Sequence, residues 1–480
     1  MSVTDVRPFF VAGKQARGSG HLPVTHPPDG SHLADVSIPT AEQVDQAVQA
    51  AADLQAELAT LPARVRANAL EHVSALLARR RQEVAEVITS ETGKPIRWSL
   101  AEVQRAVATF RIAAEEARRF SGELMRLDTE EGSDGRMAIV RRFSRGPVLA
   151  VAPFNFPLNL VAHKVAPALA VGAPVIVKPA PKTPLSALLL GEILAKTDLP
   201  AGAWSVLPLL NEQMPALVQD PRIPVVSFTG SAEVGWRIRE SVPRKHVTLE
   251  LGGNGTAIVC ADYRLPGDVS YVAERVAQFA MYQAGQSCIS VQQVLVAQEI
   301  HDKVRDALVE EVRRQSTGSV WDGNTSVGPL IDVDAARRVQ SWVEEAVSEG
   351  AKILVGGMRE GSFYAPTVLS GTTAETKVVS EEVFGPVLSV IPVADVDEAF
   401  ARVNASRYGL QVGVFTHDLD LAFRAHRELQ VGGVIVGDVP SFRADQMPYG
   451  GVKDSGVGRE GILAAMSDLT YERTLVVKAL

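Results

Sequence analysis

A thiol, a strand-end carboxylate and a loop amide are the residues of this chain best suited to covalent chemistry. Cys288 lies in Gln283-Ala284-Gly285-Gln286-Ser287-Cys288-Ile289-Ser290 and is one of two cysteines in 480 residues. Its polar, turn-forming neighbours can leave the sulfur at a cleft, where a thiolate acts as a nucleophile, although a loop cysteine is more often inert. The other cysteine, Cys260, ends the apolar run Thr256-Ala257-Ile258-Val259-Cys260 and reads as a packed small hydrophobe. Glu250 closes the apolar segment Val247-Thr248-Leu249-Glu250 before Gly252-Gly253. A carboxylate buried there must be paired, raised in pKa or functional. Asn155, in Pro153-Phe154-Asn155-Phe156-Pro157, can donate its amide to a developing oxyanion, or can simply form a turn.

The elements that must hold these residues alternate in type. Residues 40–121 have apolar residues at helical spacing, with Pro62 opening one helix and Gly93-Lys94-Pro95 separating two more. Leu124 to Phe143, with a Gly132-Ser133-Asp134-Gly135 turn, reads as a β-hairpin arm leaving the domain body. Strands at Val148–Ala152, Val175–Lys178, Val225–Phe228 and Val247–Leu251 then alternate with helices, one of them capped by Thr183-Pro184 and running to about Lys196. That alternation predicts a parallel sheet with ligands at the carboxyl ends of its strands. A second α/β series spans about Thr256 to Val436, and the chain closes with a Gly-rich loop, Tyr449 to Gly461, and a short strand, Leu475 to Lys478.

Lys178 follows one strand directly, in reach of a ribose or phosphate, although a solvated lysine is the commoner case. Phe228-Thr229-Gly230-Ser231 joins another strand to a helix, a turn that lets phosphate oxygens approach backbone N–H groups. Two glycine patterns are decoys. Gly456-Val457-Gly458-Arg459-Glu460-Gly461 fits the dinucleotide fingerprint, yet no strand precedes it and no βαβ unit fits before Leu480. Gly230 and Gly235 have triphosphate-loop spacing, but Trp236-Arg237 stands where Lys-Ser/Thr is required.

A net charge of −8 argues against a nucleic-acid or anionic-membrane partner, and 46% apolar with 22% charged residues suits a globular protein of two or three domains. Two cysteines exclude a disulfide framework and a Cys-rich metal site, which suits a reducing cytoplasm. Met1 to Lys14 lacks a basic stretch before an apolar core, so no secretory leader is expected. The most apolar window, Leu160 to Val177, is broken by His163, Lys164, Pro167 and Pro174 and does not read as a membrane span.

The motifs above, with Val177-Lys178-Pro179-Ala180, Glu381-Glu382-Val383-Phe384-Gly385-Pro386 and Pro448-Tyr449-Gly450-Gly451, occur in the order and spacing of the aldehyde dehydrogenase superfamily, which the chain resembles over nearly its whole length. The resemblance implies an α/β protein. A Rossmann-like cofactor domain (1–123 and 144–251), an α/β catalytic domain (252–445) and oligomerisation segments (124–143 and 465–480) would build a homodimer or homotetramer. It makes Cys288 the nucleophile, Glu250 the general base, and Asn155 with the Cys288 N–H the oxyanion hole. Lys178 and Glu382 would hold the riboses, and Gly230 and Ser231 the pyrophosphate, with Phe154, Gly252, Phe384 and Pro181 also at the cofactor, NAD or NADP.

Many NAD-preferring members have a glutamate three residues after the lysine; here Pro181, followed by Lys182, stands there, so no carboxylate repels a 2′-phosphate. Phe154 replaces a tryptophan common in the family. By motif alignment, Phe156, His163, Tyr282, Ser287, Ile289, Arg443, Tyr449 and Arg111 should line the substrate tunnel. The stretch 442–449 is similar to members acting on lactaldehyde, phosphonoacetaldehyde and other small polar aldehydes, though Arg443 can instead pair with Asp445 or another structural carboxylate. A coenzyme-A-acylating enzyme needs no base such as Glu250, a cysteine hydrolase needs a histidine in these motifs, and a silent paralogue would have lost Cys288 or Glu250.

Overall fold

The computed structural model describes residues 6–478 of the chain. The first residues of the expected leader-free start, and the last two of the expected segment 465–480, lie outside the described residues. Four helices, Ala41–Thr60, Ala63–Arg79, Arg81–Thr92 and Ile96–Arg119, fill the expected helical stretch. Thr40 opens the first with a reciprocal capping box to Gln43, and Pro62 precedes the second. Gly93 ends the third at φ +68°, and a Cβ there would meet Pro329 at 2.6 Å, so only glycine fits.

The first sheet has eight strands, five of them parallel: Trp204–Val206, Val175–Lys178, Val148–Val151, Val225–Thr229 and His246–Glu250, in that spatial order. Chain order along the sheet is thus 3-2-1-4-5, the Rossmann arrangement, with its switch point between Val148–Val151 and Val225–Thr229. The antiparallel strands Phe9–Val11 and Lys14–Ala16 cover one edge, and Gly456–Val457, antiparallel to His246–Glu250, covers the other. The glycine pattern at 456–461 is therefore an edge strand and its loop. A Cβ on Gly456 would lie 2.1 Å from the Leu249 carbonyl it packs on.

The second sheet has seven strands: Lys352–Val355, Thr367–Ser370, Val387–Val393, Gln293–Ala297, Thr256–Val259, Gln411–Phe415 and Gly433–Val436. All neighbours are parallel except the first pair. Cys260 follows Thr256–Val259 and is buried, its thiol pushed up to about 12 by burial. The expected arm is a three-stranded antiparallel sheet, since Thr470–Lys478 pairs along the full length of Arg136–Ser144, with Glu123–Arg126 beyond. The closing strand is thus longer than its apolar run Leu475-Val476-Val477 suggests. Leu124, Met125, Met137, Ile139 and those three residues are exposed. Before the arm, Ile462, Met466 and Leu469 return to the core of the first sheet. No helix among the described residues is long and apolar enough to cross a membrane.

Two buried carboxylates fasten helix starts, one of them where the sequence suggests Thr183 as the cap. Helix Leu185–Leu194 starts without a bond from Thr183. The Glu91 carboxylate instead accepts from the N–H groups of Leu185 (2.7 Å) and Ser186 (2.9 Å), and burial raises its pKa to about 8. Glu102 accepts from the N–H groups of Leu158 (3.0 Å) and Asn159 (3.1 Å) at the start of helix Asn159–Ala170, while Lys94 bonds its other oxygen, both side chains fully buried. Removing one partner of such a pair typically costs about 3–5 kcal/mol, because the other charge stays buried and unpaired. Glu102→Ala should therefore lower the thermal unfolding midpoint strongly. Lys94→Met combined with Glu102→Gln should lower it less than the two single changes summed.

Candidate active site

Helix Asn159–Ala170 is buried along its whole length although it carries His163 and Lys164, so each must find a polar partner in the protein. Lys164 donates to Glu460 Oε1 (3.2 Å) and Ser227 Oγ (3.1 Å), and His163 Nε2 meets Asp445 Oδ1 at 2.9 Å. Both carboxylates come from the C-terminal loop, which is thereby fixed across the end of the first sheet. The same loop returns on itself, with Tyr449 and Glu460 exchanging backbone bonds of 2.9 and 2.7 Å. It brings Tyr449 and Arg443 to the thiol.

Cys288 sits between this loop and a strained turn. Gln283, Ala284 and Gly285 all have positive φ, and a Cβ on Gly285 would lie 2.0 Å from the Gly385 carbonyl. The Gln286 side chain clamps the turn, donating to Gln283 O and accepting from the Ile331 N–H at 2.9 Å. Asn155 Nδ2 donates to the Gln286 carbonyl at 2.9 Å, which ties the end of Val148–Val151 to the cysteine loop and leaves its second N–H for a ligand. The sulfur lies 3.0 Å from the Tyr449 hydroxyl. Burial pushes the thiol up to about 11, partly offset by that hydrogen bond.

Glu250 ends its strand with both oxygens buried and without a hydrogen-bond partner among the described residues, against Gly450, where a Cβ would come within 2.8 Å. Its pKa is raised well above the usual carboxylate range, first by burial and then by the charge of Glu460. Glu460 is the opposite case, because Lys164 and Arg443 hold it ionised. Of two adjacent carboxyls, the cations serve one and leave the other free to take or give a proton.

A cavity of about 250 Å³ opens onto the sulfur, and Phe156, Tyr282, Ser287, Ile289, Arg443 and Tyr449 all line it, as expected. Two expected residues do not. His163 is fully buried behind the wall on Asp445, and burial lowers its pKa, so it is a neutral core residue. Arg111 faces solvent and pairs with Glu115, because it projects from a different face of its helix. Arg443 pairs with Glu460 (3.0 Å), not with Asp445, and its guanidinium lies 3.8 Å above the Tyr449 ring. Its Nε is buried with no acceptor.

Sequence reasoning missed Arg105, which lines the cavity with Trp98 and Ala101 and donates Nη2 and Nε to Asp445 (2.8 and 3.2 Å). Trp98, Ala101 and Arg105 fall at i, i+3 and i+7, a single helix face, and that spacing was the available signal. Arg275, beside them, is satisfied by a two-pronged pair with Asp438.

A separate cleft of about 510 Å³ lies at the switch point of the first sheet and is lined by Lys178, Pro181, Gly230 and Ser231. Among the described residues the Lys178 ammonium bonds only to Asn211 Oδ1 (3.1 Å), and burial lowers its pKa to about 8. Ser231 heads helix Ala232–Ser241 without capping it. Lys182 pairs with Asp332. Phe154 and Phe384 meet edge to face at 5.8 Å. The Glu382 carboxylate, raised to about 7 by burial, lies on Gly252, where a Cβ would meet it at 2.2 Å, and accepts from the Gly253 N–H at 3.2 Å. A buried lysine lacking a carboxylate, an open helix N-terminus and a carboxylate seated on glycines fit the phosphates and ribose hydroxyls of a dinucleotide.

Fold and site together define an oxidoreductase of the Rossmann-bearing thiol class. The chain belongs to the aldehyde dehydrogenase family, whose model matches residues 14–475; it is an NAD(P)-dependent enzyme. It is 40% identical over 479 residues to 3-sulfolactaldehyde dehydrogenase of Priestia megaterium, covering 99% of each chain. It is similar to the crystal structure of aldehyde dehydrogenase 21 from Physcomitrella patens in complex with the reaction product succinate (TM-score 0.97, 42% identity, 99% of each chain). It is also similar to the NADP-dependent glyceraldehyde-3-phosphate dehydrogenase of Bacillus halodurans complexed with NADP (TM-score 0.95, 33% identity, 99% of this chain and 100% of the other).

With Pro181 in the cleft wall, no carboxylate opposes a 2′-phosphate at that position. Pro181→Glu should weaken NADP binding by about tenfold or more and leave NAD nearly unchanged, measured as the ratio of the two Kd values by fluorescence titration. An unchanged ratio would place phosphate discrimination elsewhere.

Proposed function

We propose that this enzyme oxidises a small aldehyde bearing an anionic group to the corresponding acid. The observation that carries the reading is the cavity of about 250 Å³ with the Cys288 sulfur on its surface and the Arg105 and Arg443 guanidiniums on its wall. Arg105 uses two of its three nitrogens on Asp445, and Arg443 keeps a buried Nε without an acceptor. An anion inside would meet donors already oriented. The names of two similar proteins, a sulfolactaldehyde dehydrogenase and a succinate complex, agree with this chemistry.

In the proposed reaction the Cys288 thiolate adds to the aldehyde carbon, and the free Asn155 N–H with the Cys288 N–H receives the oxyanion. A dinucleotide held in the adjoining cleft by Lys178, Gly230, Ser231 and Glu382 would accept the hydride that leaves the adduct carbon as its C=O bond re-forms, so that a thioester remains on Cys288. Glu250 then takes a proton from water, whose oxygen attacks the thioester carbon, and the C–S bond breaks to return the thiolate and release the acid. Because both Cys288 and Glu250 have raised pKa values, their anions form as pH rises, so turnover should increase from neutral toward alkaline pH. Residues 1–123 and 144–251 are assigned to the cofactor domain and 252–445 to the catalytic domain. The exposed apolar three-stranded sheet supports a homodimer or homotetramer joined through 124–143 and 465–480.

Cys288→Ala should abolish turnover. Glu250→Gln should produce one burst of NAD(P)H per site and then stall, seen by stopped-flow absorbance; normal steady-state turnover in that variant removes Glu250 from the role of base.

A hydrogen bond to a charged group is worth roughly 1.5–3 kcal/mol, or about 10- to 150-fold. Arg105→Leu should lower kcat/KM for succinate semialdehyde by about that factor and affect propionaldehyde little, whereas Arg443→Leu, which also touches Tyr449, should lower it for both aldehydes and more for succinate semialdehyde. His163→Gln should leave the ratio between the two substrates unchanged. Equal losses on both aldehydes in each variant would remove the arginines from recognition of the substrate's charge.

A further inference from the structure

The wall of the cavity contains one residue whose position exceeds what a wall requires. We propose that Tyr449 is a positioning residue for the nucleophile, its hydroxyl donating to the Cys288 sulfur and stabilising the thiolate. This rests on the reading of Cys288 as the attacking group. The hydroxyl lies 3.0 Å from the sulfur and has no other hydrogen-bond partner among the described residues. Tyr449 is 3% exposed and packs with Ile289 and Leu410, so the bond forms in an apolar setting where it is stronger than in water.

The bond has a preferred direction once the sulfur ionises. A neutral thiol and a phenol can each donate, but a thiolate can only accept, and the proton must then come from the phenol. Burial and the neighbouring thiol hold Tyr449 far above its usual range, so it remains an O–H donor at every working pH. The sulfur needs such help, since burial pushes Cys288 up to about 11.

Three contacts fix the ring in this role. Its backbone is paired in both directions with Glu460, and the Arg443 guanidinium lies 3.8 Å above the ring centroid. Glu460 holds that guanidinium at 3.0 Å. A cation over the ring face draws electron density from the phenol and strengthens its O–H as a donor. The residue that faces the substrate's charge is thereby also in contact with the group that tunes the thiol. A merely space-filling ring would need neither the hydroxyl nor the guanidinium.

The experiment measures alkylation of Cys288 by iodoacetamide as a function of pH, without cofactor or aldehyde, with peptide mass spectrometry separating Cys288 from Cys260. Tyr449→Phe keeps the ring and removes the donor. Alkylation at pH 8 should slow by about tenfold, and the inflection should move up by about one pH unit. Tyr449→3,5-difluorotyrosine, a near-isosteric but more acidic phenol, should move the inflection down. If Tyr449→Phe fails to fold, the fluorinated protein decides alone. An inflection unmoved in a folded Tyr449→Phe protein, or unmoved by the fluorinated phenol, overturns the proposal. Alkylation requires no substrate, so failure of aldehyde oxidation and failure of this coupling are read separately.

Discussion

Burial of the helix Asn159–Ala170 is the constraint on which the site is built. A helix enclosed on every side that carries a lysine and a histidine has to be met by carboxylates, or the cost of stripping water from those groups is unrecovered. Glu460 answers Lys164 and Asp445 answers His163. Both lie in the segment that follows the second sheet, so satisfying one helix of the first unit brings the C-terminal loop over the mouth between the two sheets. Glu460 then holds Arg443 with its second oxygen and Tyr449 through its backbone. Buried ion pairs of this kind contribute little net stability; they select one arrangement among many. Here the selected arrangement puts a phenol on the thiol and leaves Glu250 as the carboxyl without a cation.

A second pair works from the other side. Glu102 and Lys94 sit at the base of the loop that carries Asn155, and the lysine Nζ is 4.0 Å from the centre of the Phe156 ring. Phe156 stacks on Tyr282 at 5.9 Å, and Tyr282 meets Trp98 at 4.8 Å. The aromatic wall and the amide are thus referred to the same buried charge pair. Asn155 completes the link by donating to Gln286 in the cysteine loop. Residues distant in sequence, from 94 to 460, are held in one frame by groups whose removal would leave a charge or an N–H unpaired.

The parts of this site that were legible in the sequence share one property: they mark the ends of strands. Lys178, Thr229-Gly230-Ser231 and Glu250 follow runs whose type is plain from apolar content, and a parallel sheet places such ends together. What the sequence hid was decided by burial in three dimensions. His163 looks like a tunnel residue because nothing local shows that its helix is enclosed on all faces. Arg111 and Arg105 share a helix, and only packing shows that the face of Trp98 and Ala101 meets the cavity. Glu460 lies inside the glycine pattern at 456–461, which forms an edge strand and its loop. The glycines there serve close approach, Gly456 to Leu249, Gly458 to Thr248 and Gly461 to Met447, and the carboxylate among them is the partner of Arg443. The long closing strand was obscured because Thr470-Tyr471-Glu472-Arg473 lacks the apolar run that marks its second half.

The charge balance around the cavity bears on which aldehydes fit. While Glu250 is protonated, Lys164, Arg105 and Arg443 face Asp445 and Glu460, with His163 neutral in its buried position, so this cluster has one cation more than its carboxylates neutralise. Arg275 adds nothing to that excess because Asp438 matches it. A substrate anion would balance the cluster and supply an acceptor for the Arg443 Nε. A neutral aldehyde of equal size would occupy the same space and leave both needs unmet. Sites built to pair with a charged or polar substrate group reject analogues lacking it far more strongly than apolar pockets reject a missing methylene, because the site's own polar groups are left without partners. In the proposed function the discrimination therefore comes from the enzyme's unpaired donors, and cavity volume only sets an upper bound on substrate size.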